Sequence, residues 1–271
     1  MCIILSCAPG ARPSRELLSD CWNNNPDGGG LMYDHGGVVH VSKGYMNFSD
    51  LATAIARVPS DAHLIVHMRI GTSGGYGPEV THPYPITRDL ELLHALDLVC
   101  PVAIAHNGVL PYPSDEALGI SDTVAYVSSE VARIASMRRV RSGGGLARSS
   151  KARDLLKATS KGSRLAVLDG SGHVRLTGDG WEGVTRGIQA SNGSWRYRRW
   201  GRGCVVDDWD DFDPWDDWGT DGAPLPETRD LAELMERWGC AGCDCCEDCY
   251  HYGTLCGLET IGGDEREESL F

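Results

Sequence analysis

The second residue of the chain is a cysteine that leads straight into an apolar run, Cys2-Ile3-Ile4-Leu5. Methionine removal generally proceeds when the next residue is small, and here it would expose a thiol and an α-amine on one residue. A free thiol with a pKa of about 8.5 is only weakly ionised at neutral pH, whereas an α-amine at about 7.7–8.0 titrates close to it. The amine can then accept the thiol proton, directly or through water, so that one residue supplies nucleophile and base. By position alone, a second-residue cysteine before a buried strand also reads as a small hydrophobe.

Other residues further along have the types that such a nucleophile requires. Attack on a carboxamide builds an oxyanion, which needs preorganised donors. The Asn107 side-chain amide and the Gly108 backbone N–H would supply two, glycine allowing close approach. Alone, Asn-Gly also reads as a hairpin turn. Arg69, at the end of an apolar run, can grip a carboxylate bidentately, and Asp122, at the start of a helical stretch, can hold an ammonium. A strand-end ion pair and a helix cap are the plainer readings of these two. His67, His82 and His106 have the chemistry of acid/base groups, but an N-terminal nucleophile needs no imidazole, and all three read as structural hydrogen-bonding residues. Asp27, in the turn-like stretch Asn25–Gly30, reads as structural too.

The elements that must position these residues follow an α/β or α+β rhythm up to about Gln189. Strands are predicted at Ile3–Ser6, Leu31–Tyr33, Val38–Lys43, His63–Met68, Val102–His106, Arg164–Asp169 and His173–Thr177, the last two joined as a hairpin through Gly170-Ser171-Gly172. Helices are predicted at Phe48–Arg57 behind Asn47, at Ser121–Met137, and at Ser150–Thr159. The glycine-rich stretch Arg141–Ser149 reads as a loop; no Gly-Lys-Ser/Thr follows at the spacing a phosphate-binding loop needs.

Over about residues 2–185 the chain resembles the glutaminase domain of class II glutamine amidotransferases, members of the N-terminal-nucleophile hydrolase superfamily. The resemblance lies in ordered stretches: Met1-Cys2-Ile3-Ile4; Asn25-Pro26-Asp27-Gly28-Gly29-Gly30; His67-Met68-Arg69-Ile70-Gly71-Thr72-Ser73-Gly74; Thr81-His82-Pro83; His106-Asn107-Gly108; and Ser121-Asp122-Thr123. It implies an α+β fold, a four-layer αββα sandwich with Cys2 at the end of an inner strand. It also implies Cys2, Asn107 and Gly108 as catalytic groups, Arg69, Thr72 and Asp122 as substrate-binding groups, and no cofactor for catalysis. The implied reaction is hydrolysis of the glutamine side-chain amide through a γ-glutamyl thioester. Ser73 departs from the pattern, since many synthetase-linked members have histidine there. That keeps a stand-alone amidase on a γ-glutamyl or related amide in view, as well as a non-enzymatic binding protein on this fold.

Composition divides the chain. The formal charge is −13, yet residues 207–271 hold 20 acidic and 3 basic side chains, so the acidity belongs to the tail. The expected organisation is a glutaminase-like domain over 1–203, an acidic and aromatic linker over 204–225, a helix plus cysteine-rich module over 226–261, and an acidic tail over 262–271. Six of eleven cysteines fall within residues 240–256. Cys240, Cys243, Cys246 and Cys249 form two Cys-x-x-Cys pairs whose thiolates could enclose a structural zinc, with Cys256 able to replace an inner one; an iron–sulfur or redox role and metal-free thiols or disulfides are the other readings. Ser194–Arg202 interleaves basic and aromatic residues, but the neighbouring aspartates compete for its arginines, which argues against nucleic acid. With no apolar run of membrane-spanning length and no signal-like N-terminus, the chain reads as soluble and cytoplasmic. Fewer than 90 residues follow the glutaminase-like part, so the expected ammonia acceptor is a separate synthetase chain.

Overall fold

The computed structural model describes residues 2–71 and 75–196. Thr72, Ser73, the linker, the cysteine module with Cys240, Cys243, Cys246 and Cys249, and the acidic tail lie outside the described residues. The fold is mixed α and β, with antiparallel sheets. In chain order the strands are β1 (Ile3–Cys7), β2 (Gly29–His35), β3 (Val38–Tyr45), β4 (Leu64–Met68), β5 (Tyr84–Pro85), β6 (Asp97–Cys100), β7 (Val102–Asn107), β8 (Arg164–Asp169), β9 (Val174–Thr177), β10 (Glu182–Thr185) and β11 (Ile188–Ala190). The helices are α1 (Arg15–Asn24), α2 (Phe48–Ala56), α3 (Leu90–His94), α4 (Asp122–Tyr126), α5 (Ala132–Ser136), α6 (Arg138–Arg141), α7 (Gly145–Arg148) and α8 (Ser150–Thr159).

Seven strands form one sheet in the order β10-β11-β1-β4-β2-β3-β6, and four form a second in the order β5-β7-β8-β9. Side chains alternate across each strand, and this parity sorts the apolar residues into separate cores. In β1, Ile3, Leu5 and Cys7 turn to a core shared with Leu18, Cys21 and Trp22 of α1 and Leu51 and Ile55 of α2. Ile4 turns the other way, into a core where Met32, Val39, Val41, Ile65 and Cys100 of the large sheet meet Ala103, Ala105, Ala166 and Leu168 of the small one. On the far side of the small sheet, Val102, Ile104, Leu165 and Val167 pack against Val124, Ile134, Leu146, Ala152 and Leu156 of the second helical group. Helices therefore cover the outer face of each sheet, and the inner faces close on one another.

Several boundaries differ from expectation for local reasons. The stretch predicted as the helix Ser121–Met137 is capped by Ser121, whose hydroxyl accepts the Val124 N–H, and widens by one residue per turn over Val127–Val131 before continuing as α5. The predicted Arg141–Ser149 loop holds one helical turn, α7, begun from Gly144 in the left-handed conformation (φ +89°). Gly29 and Gly30 belong to β2 rather than to a turn; a Cβ on Gly30 would strike the His82 carbonyl, so only glycine lets β2 pass there. Helix α1 has no counterpart among the expectations, although Ser14 caps it by accepting the Leu17 N–H at 3.2 Å and Leu18, Cys21 and Trp22 form its buried stripe.

Candidate active site

Strand pairing brings the nucleophile candidate beside the arginine. In the β1–β4 ladder Ile3 faces Met68 and Ile4 faces His67, so the next residue outward, Cys2, comes alongside Arg69. Cys2 is half-buried, its Sγ is 3.6 Å from the Ile70 carbonyl oxygen, and its own carbonyl accepts the Asn192 side-chain N–H at 2.8 Å. Burial pushes the thiol pKa up, while the hydrogen bond at Ile70 and the Arg69 charge pull it down. Such a thiol needs a base beside it, because the raised pKa leaves less thiolate at neutral pH.

Cys2, Arg69, Gly108 and Asp122 line one cleft, bordered also by Ile70, His82, His106 and Thr123. Four of the residues singled out by their chemistry thus converge from separated parts of the chain. Arg69 is held from several directions. Its backbone N–H donates to the Gly28 carbonyl at 2.7 Å, its carbonyl accepts the Asp27 N–H at 2.9 Å, and its guanidinium donates to the Gly75 carbonyl at 2.8 Å. Asp27 steadies the same corner by accepting the Gly71 N–H at 2.7 Å. Asp122 is the first residue of α4 and accepts the Leu110 N–H at 2.9 Å, which ties the segment after Asn107 to the helix start. Ser121, not Asp122, is the helix cap.

Gly108 has φ +149°, and a Cβ there would collide with the Ser163 hydroxyl. Any other residue would force the strand end or Ser163 to shift. Asn107 is fully buried and is not part of the cleft lining. It points between the sheets, where its Nδ2 donates to the Ser191 hydroxyl at 2.8 Å; that oxygen also accepts the Ile4 N–H at 2.9 Å. The Asn107 Oδ1 is buried without a hydrogen-bond partner, a situation that costs about 1–3 kcal/mol.

The three histidines cluster at the cleft, His82 and His106 in its lining, with tilted rings whose centroids lie 4.1 Å apart for His67 and His82 and 6.0 Å apart for His82 and His106. His67 meets the His106 carbonyl at 3.1 Å, His82 Nδ1 accepts the His106 backbone N–H at 3.3 Å, and His106 Nδ1 meets the Thr123 hydroxyl at 2.8 Å. Burial lowers the pKa of His67 to about 3, that of His82 well below its ordinary value, and that of His106 to about 4 despite the opposing pull of Asp122. At neutral pH they are uncharged rings that brace β4, β7 and the His82 segment.

Ser191 and Asn192 touch the site and were not singled out from the sequence. They sit in an ordinary Ala190-Ser191-Asn192-Gly193 stretch, and nothing in its composition distinguishes it from a turn. Among the described residues no group of three His, Cys, Asp or Glu side chains could hold a metal ion. No helix among them is long and apolar enough to cross a membrane. No protein-family model matches the chain, and no curated protein matches it.

Proposed function

We propose that the chain is a class II type glutaminase of the N-terminal-nucleophile group, hydrolysing the side-chain amide of glutamine or a related γ-glutamyl amide. The observation that carries this reading is the convergence of Cys2, Arg69, Gly108 and Asp122 on one cleft. The helix–sheet–sheet–helix order of the packing supports a four-layer αββα sandwich of that type, with Cys2 at the end of the inner strand β1.

The roles follow from charge and geometry. Arg69 binds the substrate α-carboxylate and Asp122 its α-ammonium, an opposed pair that selects an amino acid and aims its side-chain amide at Cys2. Thr72 adds contacts to the same substrate by the resemblance. With Met1 removed, the α-amine of Cys2 takes the thiol proton and the thiolate attacks the amide carbon. A C–S bond forms as the carbonyl electron pair moves to oxygen. The Gly108 N–H at the cleft stabilises that oxyanion, and the resemblance assigns the second donor to the Asn107 amide, which in this structure is bonded to Ser191 outside the cleft lining. Collapse expels ammonia, which leaves with the proton returned by the α-ammonium, and a γ-glutamyl thioester remains. Water then attacks the thioester while the amine takes its proton, and glutamate and the thiol are released.

The test combines intact mass with ammonia release. Purified protein should lack Met1 and release equal amounts of ammonia and glutamate from glutamine. Diazo-oxo-norleucine, a glutamine-shaped electrophile, should add once, at Cys2, and Cys2→Ala should be inactive but folded. Retained Met1 in active protein, labelling at Cys7 or Cys21, or full activity in Cys2→Ala would overturn the reading.

A further inference from the structure

We infer that Thr123 and His106 are positioning residues of the ammonium-binding carboxylate. A chain of donors, from His106 Nδ1–H to the Thr123 hydroxyl and from that hydroxyl to Asp122 Oδ1, sets the carboxylate in one orientation and so selects substrates that carry an α-ammonium. The inference rests on the glutaminase reading of the cleft and adds two residues to it.

All three residues line the cleft with Cys2 and Arg69. Strand parity brings them together. His106 follows Val102 and Ile104 on the face of β7 that turns to the second helical group, and Asp122 and Thr123 open α4 in that group. There His106 Nδ1 lies 2.8 Å from Thr123 Oγ1, and Thr123 Oγ1 donates to Asp122 Oδ1 at 3.3 Å. The other carboxylate oxygen, Oδ2, accepts the Leu110 N–H at 2.9 Å. His106, Leu110 and Thr123 are buried, and Asp122 is half-buried.

Donor counting fixes the direction of the chain. A hydroxyl has one proton, and a carboxylate only accepts. The Thr123 proton goes to Asp122, since a bond to an ionised acceptor is its stronger use, and the hydroxyl oxygen then takes the proton on His106 Nδ1. Burial keeps the His106 ring uncharged at neutral pH, so it has one N–H, and its buried, unpartnered Nε2 is left with the lone pair. No imidazolium then stands beside Asp122 to compete with a substrate cation. Each carboxylate oxygen is held by one protein donor and keeps lone pairs for the ligand. Held at one oxygen, the group could turn about its terminal bond; held at both, it presents a fixed anion. Arg69, tied through its guanidinium to the Gly75 carbonyl, is the opposite pole. A substrate with both an α-carboxylate and an α-ammonium meets both poles, and one without the amino group meets only Arg69.

Kinetics on two substrates and one spectrum test this. Thr123→Val, which keeps the shape and removes the hydroxyl, should raise KM for glutamine about 10-fold with kcat within about twofold, because ground and transition states use the ammonium contact alike. Thr123→Ser should restore KM. On 4-carbamoylbutanoate, which is glutamine without its α-amino group, Thr123→Val and wild type should have the same kcat/KM within about twofold. In an Asp122→Ala background, Thr123→Val should cost nothing further. Nitrogen-15 NMR of the wild-type protein at pH 7 should find the His106 ring proton on Nδ1. An unchanged KM for glutamine in Thr123→Val, or equal losses on the two substrates, would refute the positioning role. Losses that add in the double variant would refute it too, by showing that the hydroxyl touches the substrate itself. A ring proton on Nε2 would overturn the His106 step, because the Thr123 proton would then point at the ring. If the wild-type protein releases no ammonia and Cys2 resists the glutamine-shaped electrophile, it is the glutaminase reading that has failed, and the spectrum still decides whether the chain of donors exists.

Discussion

The layer between the two sheets has two ends of opposite character, and the same strands build both. At one end Ile4, Met32, Val41 and Ile65 meet Ala103, Ala105 and Leu168 in a dry core. Two residues along each strand, on the same face, the side chains change type: Ile4 gives way to Cys2, Met32 to Gly30, Val41 to Lys43, Ile65 to His67 and Ala105 to Asn107. The apolar end satisfies every local rule for a sandwich core. The polar end breaks them, with His67 Nδ1, His106 Nε2 and Asn107 Oδ1 buried and unpartnered. Groups left in that condition are costly, and on the proposed reading the chemistry of the cleft offsets that cost. One end holds the sheets together; the other is held by them.

The contrast is broken most sharply by truncating Asn107. Asn107→Ala should reduce kcat about 10²–10³-fold, equivalent to about 2.7–4 kcal/mol of transition-state stabilisation. Stability should barely fall, because the variant also removes an oxygen that is buried unsatisfied. Steady-state kinetics and a urea titration on the same preparation read both effects. A large loss of stability with unchanged kcat would place Asn107 with the structural end.

The mirror experiment belongs to the apolar end. Leu168 is fully buried against the large sheet, and Leu168→Ala should cost about 2 kcal/mol or more in unfolding free energy through lost burial and the cavity left behind. The kcat of the folded fraction should stay within about twofold of wild type. A loss of kcat comparable to that of Asn107→Ala would mean that the two ends are not separable.

How much of this was legible in the sequence depends on how local each contact is. The continuous apolar runs of β1, β4, β7 and β8, buried on both faces, and the alternation of β3 are visible directly, and helix α8 begins at Ser150 behind its capping Ser149. Cys2, Arg69, Asn107, Gly108 and Asp122 stood out because their types pair with a known chemistry. Ser191 and Asn192 did not, because their bonds span 187, 84 and 190 positions and leave no local spacing to read. Strands β10 and β11 are short and partly exposed, so they have too few buried positions for alternation to appear. The polar end of the layer was legible only as a set of residues, and its mutual contacts required the fold.

Lys43 gives the subtlest test, since it is a charged residue type at the polar end with no part in the proposed chemistry. It follows Val39 and Val41 on the inner face of β3, with its Nζ donating to the Leu93 carbonyl at 2.6 Å and the Glu79 carbonyl at 3.0 Å, and lying 4.0 Å from the centre of the Tyr84 ring. Burial lowers its pKa from 10.5 to about 7, with the Glu79 charge opposing. Between those values the unfolded chain holds a proton that the folded chain has given up. Stability must therefore rise with pH from about 7 towards 10.5, with a slope of up to about 1.4 kcal/mol per pH unit for one proton. Above about pH 8.5 the thiols of the unfolded chain begin to ionise while Cys7, Cys21 and Cys100 are held protonated by burial, and stability then turns the other way. The clean window is pH 7 to about 8.5. Lys43→Met, which keeps the length of the side chain, should flatten the pH dependence of the urea midpoint there and leave kcat within about twofold of wild type. An unflattened slope would mean that the two carbonyls and the ring hold the ammonium charged throughout, and a drop in kcat would extend the working end of the layer from Cys2 and Asn107 across to β3.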